Sequence, residues 1–288
     1  MSSDPTTALG RFGAYLAERF PIGPYAVLVI AFHGAGSLVA VRLGGGEVRL
    51  WAGLAVLLAF FHLRVFDEHK DYAKDVVSHP ERLLSRGVVT LSFLRVWGAG
   101  AILAGAAIAA ACGTRALIAW AAMFAFTVAM RFEFGVGAWL NRSLLLYAIT
   151  HNPVVAGLAM FTWASTGARW DPRYLLFVAA ASFGSLAFEI GRKTRQPGEE
   201  IRGVDSYSSV YGRRQAGVMV HLCVAAAVAS AVVLARAIDT GFWPLVPLGA
   251  AYMGARLYTG PERPAKKVEL GSSIALLGVF AGLAVAAW

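Results

Sequence analysis

The sequence predicts an all-α membrane protein built as a single polytopic helical bundle. Hydrophobic residues make up 58% of the 288 residues and charged residues only 15%, and the mean hydropathy is +0.60. A soluble domain carries about 25% charged residues, so this composition excludes an ordinary soluble protein. Polar stretches are too short to form a separate module, and we therefore expect one transmembrane domain over residues 1–288.

Nine apolar stretches have about the length needed to cross a bilayer as helices. Short connections join the third stretch to the fourth and the seventh to the eighth, which predicts two tight helical hairpins. The nine stretches occupy approximately residues 24–42, 50–66, 90–111, 115–132, 144–164, 174–190, 216–237, 242–259 and 269–288.

The basic residues predict how the bundle is oriented. The net charge is +9, which would suggest nucleic acid as a partner of a soluble protein. Here eighteen Lys and Arg residues fall on one side of the predicted topology and six on the other. This bias indicates that the side with eighteen is the cytoplasmic side of an inner or plasma membrane. We expect the N-terminus and two long polar loops on that side, the C-terminus on the opposite side, and a lipid bilayer rather than nucleic acid as the surroundings.

Four carboxylates follow the second apolar run without a helix breaker, in the segment RVFDEHKDYAKD. If the helix continues, Asp67, Asp71 and Asp75 stack at i, i+4 and i+8, about 5–6 Å apart from turn to turn, and Glu68 joins them. Crowded carboxylates repel unless a cation binds them. Mg²⁺ takes oxygen ligands, commonly one or two carboxylates with phosphate oxygens. The stripe therefore predicts a Mg²⁺ site for a diphosphate, with all four acids as ligands and catalytic groups; the alternative is a solvated helix face.

Cations near these acids are candidate ligands of a diphosphate. Lys70 lies within the stripe, where it could instead pair with a neighbouring acid, and Arg82 follows it. Arg192 and Lys193 begin the second polar loop. Arg matches phosphate geometry and Lys acts as a point charge, although basic loops are also what membrane orientation alone requires.

Three further residues are possible pocket residues. Asn152 precedes Pro153 within an apolar run, where it could satisfy backbone groups freed by the proline or line a pocket. Asp205 and Tyr207 belong to the second polar loop, and an aromatic face such as that of Tyr207 could shelter a cation. Glu133, at the end of the fourth run, could form an ion pair with Arg131.

The motifs resemble those of the UbiA-type intramembrane prenyltransferase superfamily. That family shows Asn-Asp-x-x-Asp-x-x-x-Asp after its second helix, and residues 67–75 match it as Asp67-Glu68-x-x-Asp71-x-x-x-Asp75. The segment Arg82-Leu83-x-x-Arg86-Gly87 resembles an Arg-Pro element, and residues 203–212 resemble a Gly-x-x-Thr…Gly stretch. The resemblance covers nearly the whole chain in span count and loop placement.

The resemblance implies further roles and also shows departures. It implies that Arg131 is a diphosphate ligand, and that a second acidic loop binds metal. In that loop the usual paired aspartates are not evident. The candidate metal ligands there are Glu189, which begins the region, and Glu199 and Glu200, which come late in it. Basic residues dominate its start, so we expect the loop to bind diphosphate partly through cations.

The resemblance implies a Mg²⁺-dependent enzyme that ionises a polyprenyl diphosphate and transfers the prenyl group to an acceptor, aromatic or lipid-like, whose identity the residues do not specify. One alternative is a terpene cyclase, which uses a prenyl diphosphate without an acceptor. A second is a transporter, because acids near a bilayer can mark cation pathways; these acids, however, cluster at one face rather than at mid-span.

Overall fold

The computed structural model describes residues 5–201, 204–238, 245–258 and 263–288, and this part of the chain consists of helices joined by short loops, with no strand. The all-α prediction is therefore confirmed. Thirteen α-helices follow in chain order: α1 (Ala8–Arg19), α2 (Ile22–Gly44), α3 (Gly53–Ser78), α4 (Leu91–Cys112), α5 (Thr114–Arg131), α6 (Gly137–Leu140), α7 (Leu144–His151), α8 (Pro153–Ser165), α9 (Tyr174–Arg192), α10 (Tyr207–Tyr211), α11 (Arg213–Ala237), α12 (Leu245–Tyr258) and α13 (Ala265–Ala287).

Seven of the described helical segments are long and apolar enough to cross a membrane: Ile22–Gly44, Leu50–Ser78, Leu91–Cys112, Leu144–Ser165, Tyr174–Arg192, Arg213–Ala237 and Ala265–Ala287. The other two predicted spans correspond to α5 and α12. α5 carries an arginine near each end, and α12 has only 14 described residues, since the predicted stretch 242–259 begins and ends outside the described part. The structure thus confirms a polytopic bundle, and the count of nine stays a prediction.

Small residues allow the long helices to pack closely, as is usual in membrane bundles. On α2, a Cβ atom added to Gly36 would lie 2.8 Å from the ring of Phe177 on α9. On α9, a Cβ atom at Gly184 would lie 2.6 Å from Leu276 on α13. These contacts bring α2, α9 and α13 together around an aromatic core, in which the rings of Phe177 and Phe280 are 6.1 Å apart.

Arginines hold the helix ends at the face predicted to be extracytoplasmic. The Arg49 guanidinium donates to the carbonyl oxygens of Cys112 at 3.0 Å and Ser165 at 3.3 Å, which end α4 and α8. Arg115 donates to the carbonyls that follow α8, and Arg173 donates to the last carbonyl of α11. The final carbonyls of a helix have no partner within it, so these arginines have a structural role.

The second apolar run continues as helix into its polar extension, as predicted, because α3 does not end until Ser78. The ends of α3, α5 and α9 lie at the same face of the bundle, as the alternating direction of antiparallel helices requires. α1 packs beside the polar end of α3, where Phe12 stacks on Trp97 of α4 with ring centroids 3.8 Å apart. This arrangement assembles polar residues from distant parts of the sequence at one face.

Candidate active site

A polar cavity of about 650 Å³ lies where the ends of α3, α5 and α9 meet the start of α7 and the loop before α10. Its wall carries four cations and three carboxylates among the described residues, so it is a charged chamber at the end of an apolar bundle. The lining residues are His69, Lys70, Asp71, Lys74, Arg131, Phe132, Glu133, Asn141, Ser143, Leu144, Tyr147, Lys193, Val204 and Asp205.

The cavity brings together five of the residues that the sequence predicts for the site, namely Lys70, Asp71, Arg131, Lys193 and Asp205. They come from α3, α5, the end of α9 and the second polar loop. A small adjoining pocket adds Asp67 and shares Lys70 and Arg131 with the cavity. Two predicted loops, far apart in the sequence, therefore contribute to one chamber.

The four carboxylates of α3 do not act as one cluster. Successive residues of a helix are rotated by about 100°, and this turn divides the stripe into two pairs. Asp67 and Asp71 lie on the side of the cavity, whereas Glu68 and Asp75 turn toward α1. Asp71 is exposed and forms no ion pair with any described residue, and the carboxylate of Asp67 is 4.0 Å from the Arg64 guanidinium.

Glu68 is buried in contacts with α1. Its Oε1 atom accepts from Arg19 Nε at 2.7 Å and from the Tyr15 hydroxyl at 3.4 Å. Burial, followed by the charge of Glu68, raises the pKa of Tyr15 well above its ordinary value. Glu68 is not among the residues that line the cavity, and its described partners are the Arg19 guanidinium and the Tyr15 hydroxyl.

Asp75 is held by cations in the same way. Its Oδ2 atom is 2.6 Å from Arg82 Nη1 and 3.6 Å from Arg19 Nη2. The Glu18 carboxylate accepts from the backbone N–H of Leu83 at 3.2 Å, which fixes the loop that follows. Arg82 and Asp75 therefore join α1, α3 and this loop, and neither lines the cavity.

Lys70 is fixed at the cavity wall by two partners. Its Nζ atom lies 2.7 Å from Glu133 Oε1, and it also donates a hydrogen bond to the Tyr147 hydroxyl. The ion pair predicted between Glu133 and Arg131 is therefore replaced by one with Lys70. The hydrogen bond from Lys70 lowers the pKa of Glu133 below its ordinary value.

The turn that carries Glu133 has an uncommon backbone. Glu133 and Phe134 have φ angles of 51° and 53°, a left-handed conformation that non-glycine residues rarely adopt. Such residues cost of order 1–3 kcal/mol each and cluster at functional sites. This turn places the Glu133 carboxylate against Lys70.

Two cations at the polar end of α9 form ion pairs with the same acid. Glu189 lies 2.7 Å from Arg192 Nε and 2.8 Å from Lys193 Nζ. Arg192 also lies near enough to Asp67 of α3 for their charges to interact. Of these two cations, Lys193 lines the cavity together with Asp71, and Arg192 lies outside its wall.

Glu199 and Glu200 form hydrogen bonds with their surroundings in the second loop. Glu199 accepts from the backbone N–H of Ala265 at 2.9 Å, at the start of α13, and backbone N–H groups lower its pKa. Glu200 accepts from the hydroxyls of Ser206 and Ser208, each at 2.7 Å. Neither acid lines the cavity, so these contacts favour a structural role over the predicted metal role.

Two predicted pocket residues also lie outside the cavity wall. The Asn152 amide donates to the carbonyl of Ser182 at 3.1 Å and ties the α7–α8 junction to α9. The backbone N–H of Tyr207 donates to the Lys193 carbonyl at 3.0 Å, and burial raises the pKa of its phenol above the ordinary value. Gly203, which opens the matched stretch 203–212, lies outside the described residues.

Two contributors, Arg19 and Tyr147, were not identified from the sequence. Arg19 was counted only as an orienting charge, yet it binds two members of the carboxylate stripe. Tyr147 lines the cavity and stacks on His151, one helical turn along α7, with ring centroids 3.9 Å apart. The sequence indicates His151 and Asn152 as a polar pair before Pro153, which more often satisfies the freed backbone than lines a pocket.

The carboxylates of the site suit a Mg²⁺ ion that substrate phosphates also bind better than an ion held by protein ligands alone. Among the described residues, no group of three or more His, Cys, Asp or Glu side chains is arranged to hold a metal ion. Asp67 and Asp71, one helical turn apart, are left as a pair. Mg²⁺ is usually bound through one or two carboxylates together with substrate phosphates, which this pair can provide.

A separate apolar groove of about 530 Å³ lies between α2, α9 and α13. Tyr25 and Phe188 line it, and Phe188 directly precedes Glu189, which pairs with Lys193 of the cavity wall. Tyr25 lies near enough to the Arg64 guanidinium for the two groups to interact electrostatically, and Arg64 lies beside Asp67. The polar end of the bundle therefore adjoins a hydrocarbon-compatible surface.

The fold is that of known membrane proteins. An apo structure of a UbiA homologue from Aeropyrum pernix K1 superposes with a TM-score of 0.66 at 18% identity, over 90% of this chain and 95% of that one. A digeranylgeranylglyceryl phosphate synthase superposes with a TM-score of 0.60 at 17% identity, over 96% of this chain and 99% of that one. No protein-family model and no curated protein sequence matches the chain. The predicted resemblance is thus confirmed at the level of the fold.

Proposed function

We propose that this protein is a Mg²⁺-dependent membrane prenyltransferase that ionises a polyprenyl diphosphate and transfers the prenyl group to an acceptor. The observation that supports this most directly is the chamber itself, in which Asp71 of α3 and Lys193, which directly follows α9, line one charged cavity. The fold shared with a UbiA homologue adds support. A charged chamber at the membrane face suits a substrate with an anionic head and a hydrocarbon tail.

The cations of the chamber would bind and orient the diphosphate. Lys70, Lys74, Arg131 and Lys193 line it, and their charge exceeds that of the three carboxylates by one. When the C–O bond of the allylic ester breaks, its electron pair goes to the leaving diphosphate. Fixed cations stabilise this developing charge without reorganising. Lys70 is the best-placed of the four because Glu133 and Tyr147 hold it in position.

Asp67 and Asp71 would hold Mg²⁺ together with oxygens of the diphosphate. When bound, the ion supplies positive charge to the diphosphate oxygens. Glu68 and Asp75 would instead position α3, since both are paired with Arg19. This division assigns ligation to two of the four predicted acids and places the other two outside the metal site.

The second loop would bind diphosphate through cations. Arg192 and Lys193 lie at the start of this loop, in which the paired aspartates of the family are not evident, and both are oriented by Glu189. The groove between α2, α9 and α13 would hold the prenyl chain next to the chamber. We place the chamber on the cytoplasmic side because the basic residues concentrate at that face.

Release of inorganic diphosphate from prenyl diphosphates of several chain lengths, with and without Mg²⁺, tests this proposal. Asp71→Asn should abolish release, whereas Asp171→Asn, the same change in an acid at the opposite face, should leave it intact. Release without Mg²⁺ at the same rate, or an active Asp71→Asn protein, would contradict the assignment. A hydrocarbon product formed without acceptor would assign a terpene cyclase, and vesicle uptake of substrate without diphosphate release would assign a transporter.

A further inference from the structure

A second apolar groove leaves the chamber between α3, α4 and α5 and has a volume of about 320 Å³. Small residues on α4 open it: Gly98 allows α4 to approach Val65 of α3, since a Cβ atom there would lie 3.0 Å from Val65. Ala99 leaves the neighbouring space unfilled. Ile102 and Val128 extend the apolar wall along α4 and α5.

This groove is continuous with the charged chamber. His69, Arg131 and Phe132 line both spaces. Phe132 is 69% exposed and stands where the polar chamber meets the apolar groove. A molecule whose head lies in the chamber can therefore extend a hydrocarbon chain along the groove without leaving the site.

The polar end of the groove is positively charged. Arg95 of α4 and Arg131 of α5 line it, and no described lining residue is acidic. Arg95 is exposed and forms no ion pair with any described residue, and the described contact of the Arg131 guanidinium is with the ring of Phe132. Two cations without acidic partners, at the mouth of an apolar groove, complement an anionic head joined to an apolar chain.

This groove is also distinct from the one between α2, α9 and α13, with which it shares no lining residue. A transfer reaction between two lipids requires space for two chains that meet at one polar site. One groove can hold the chain of the prenyl donor, and the other is then open to the chain of a second lipid.

We infer that the groove between α3, α4 and α5 binds the hydrocarbon chain of an anionic lipid acceptor, whose acidic head lies against Arg95, at the end of the groove where Arg131 joins it to the chamber. This inference rests on the proposed function, which it deepens by naming a lipid rather than a soluble aromatic compound as the acceptor class. Arg95 and Ala99 are then determinants of acceptor specificity and take no part in ionising the donor.

Photocrosslinking in nanodiscs tests the inference with the full chain. The discs contain phosphatidylcholine and a trace of phosphatidic acid that carries a diazirine in its acyl chain, and labelled peptides are mapped by mass spectrometry. A diacylglycerol with the same diazirine chain is the neutral comparison. Phosphatidic acid should label the α4 and α5 segments around Ile102 and Val128 about tenfold more than diacylglycerol, the factor expected from one charge-assisted contact.

Matched variants separate the groove from the rest of the lipid-facing surface. Ala99→Trp fills the groove and should remove this labelling, whereas Ala104→Trp, on an exposed position of the same helix outside the groove, should not. Arg95→Gln should reduce the preference for phosphatidic acid, and Arg214→Gln, which removes another exposed arginine, should leave it unchanged.

Two results would overturn the inference. Equal labelling by both probes would mean that the groove takes any bilayer lipid, and displacement of the probe by geranylgeranyl diphosphate would mean that it holds the donor chain. Binding of a non-hydrolysable prenyl diphosphate analogue, measured in parallel, should be unchanged in Ala99→Trp. If wild-type protein fails to bind that analogue, the proposed function fails, whereas a loss confined to lipid labelling removes only the groove assignment.

Discussion

Arg19 on α1 and Glu68 on α3 form an ion pair in which Nε lies 2.7 Å from Oε1, with the Glu68 side chain only 2% exposed. The same guanidinium lies 3.6 Å from Asp75. One arginine thus neutralises two members of a four-carboxylate stripe and leaves the other two facing the chamber. α1 is therefore part of the framework of the site.

Arg19→Ala should destabilise the protein strongly. Removing one partner of a buried ion pair leaves an uncompensated buried charge, which costs about 3–5 kcal/mol. The measurement is thermal unfolding of the purified protein in detergent. Glu68→Gln should cost less, because Arg19 keeps Asp75 as a partner and is more exposed. Equal melting temperatures for wild type and Arg19→Ala would contradict a structural role for this pair.

The pairing of Glu133 with Lys70 predicts a pH dependence of stability. Because the hydrogen bond from Lys70 lowers the pKa of Glu133 in the folded state, its stabilising contribution is complete above the ordinary glutamate pKa of 4.5. The contribution is lost as the pH falls through the lower folded-state value. Wild type should therefore be more stable than Glu133→Gln at pH 7, and the difference should shrink below about pH 4.5.

Melting temperatures of both proteins across this pH range provide the measurement. Asn141→Ala is a useful second variant, since its amide also donates to Glu133, at 3.3 Å, but carries no charge. It should lower stability by a smaller amount than Glu133→Gln at pH 7. A difference between wild type and Glu133→Gln that stays constant down to pH 3 would exclude the assigned linkage.

Hydrophobic run length predicted the fold well because membrane spans are fixed by a requirement local to each segment. Every backbone polar group in the bilayer must be satisfied within the helix, so an apolar run such as 174–190 predicts α9 almost completely. The count was harder to predict at α5, where Arg115 and Arg131 lie near the ends of a short helix. Whether α5 counts as a membrane span depends on how deeply these two arginines lie in the bilayer, which the sequence does not specify.

The site was predicted less completely because its contacts are between distant segments. Helical spacing correctly placed Asp67 and Asp71 one turn apart, yet spacing alone cannot say which face of α3 meets α1. Glu68 therefore belonged to the predicted ligand set although it binds Arg19. Likewise, Glu199 precedes α13 by many residues, and its hydrogen bond to Ala265 depends on tertiary packing.

Arg49 should contribute to stability without affecting activity. Its guanidinium donates to carbonyl oxygens at the ends of two helices, at Cys112 and Ser165, and hydrogen bonds to a charged group are worth about 1.5–3 kcal/mol. Arg49→Ala should lower the melting temperature, whereas Arg236→Ala, at an exposed arginine of the same face, should not. Loss of diphosphate release in folded Arg49→Ala protein would show that this face influences the site.

The second loop provides the sharpest test of how a diphosphate is bound. Arg192→Ala with Lys193→Ala should weaken binding of a prenyl diphosphate by at least about tenfold, since charge-assisted contacts are worth about 1.5–3 kcal/mol each. Glu199→Gln with Glu200→Gln should retain binding, because those acids form hydrogen bonds within the loop and with α13. Binding titrations at several Mg²⁺ concentrations measure both.

Removing the two cations also frees Glu189, so part of the lost affinity should return at high Mg²⁺ if this carboxylate can take a metal ion. Unchanged affinity in the Arg192→Ala, Lys193→Ala protein would exclude a cationic second loop, and loss of Mg²⁺ dependence in the Glu199→Gln, Glu200→Gln protein would instead restore those acids as metal ligands.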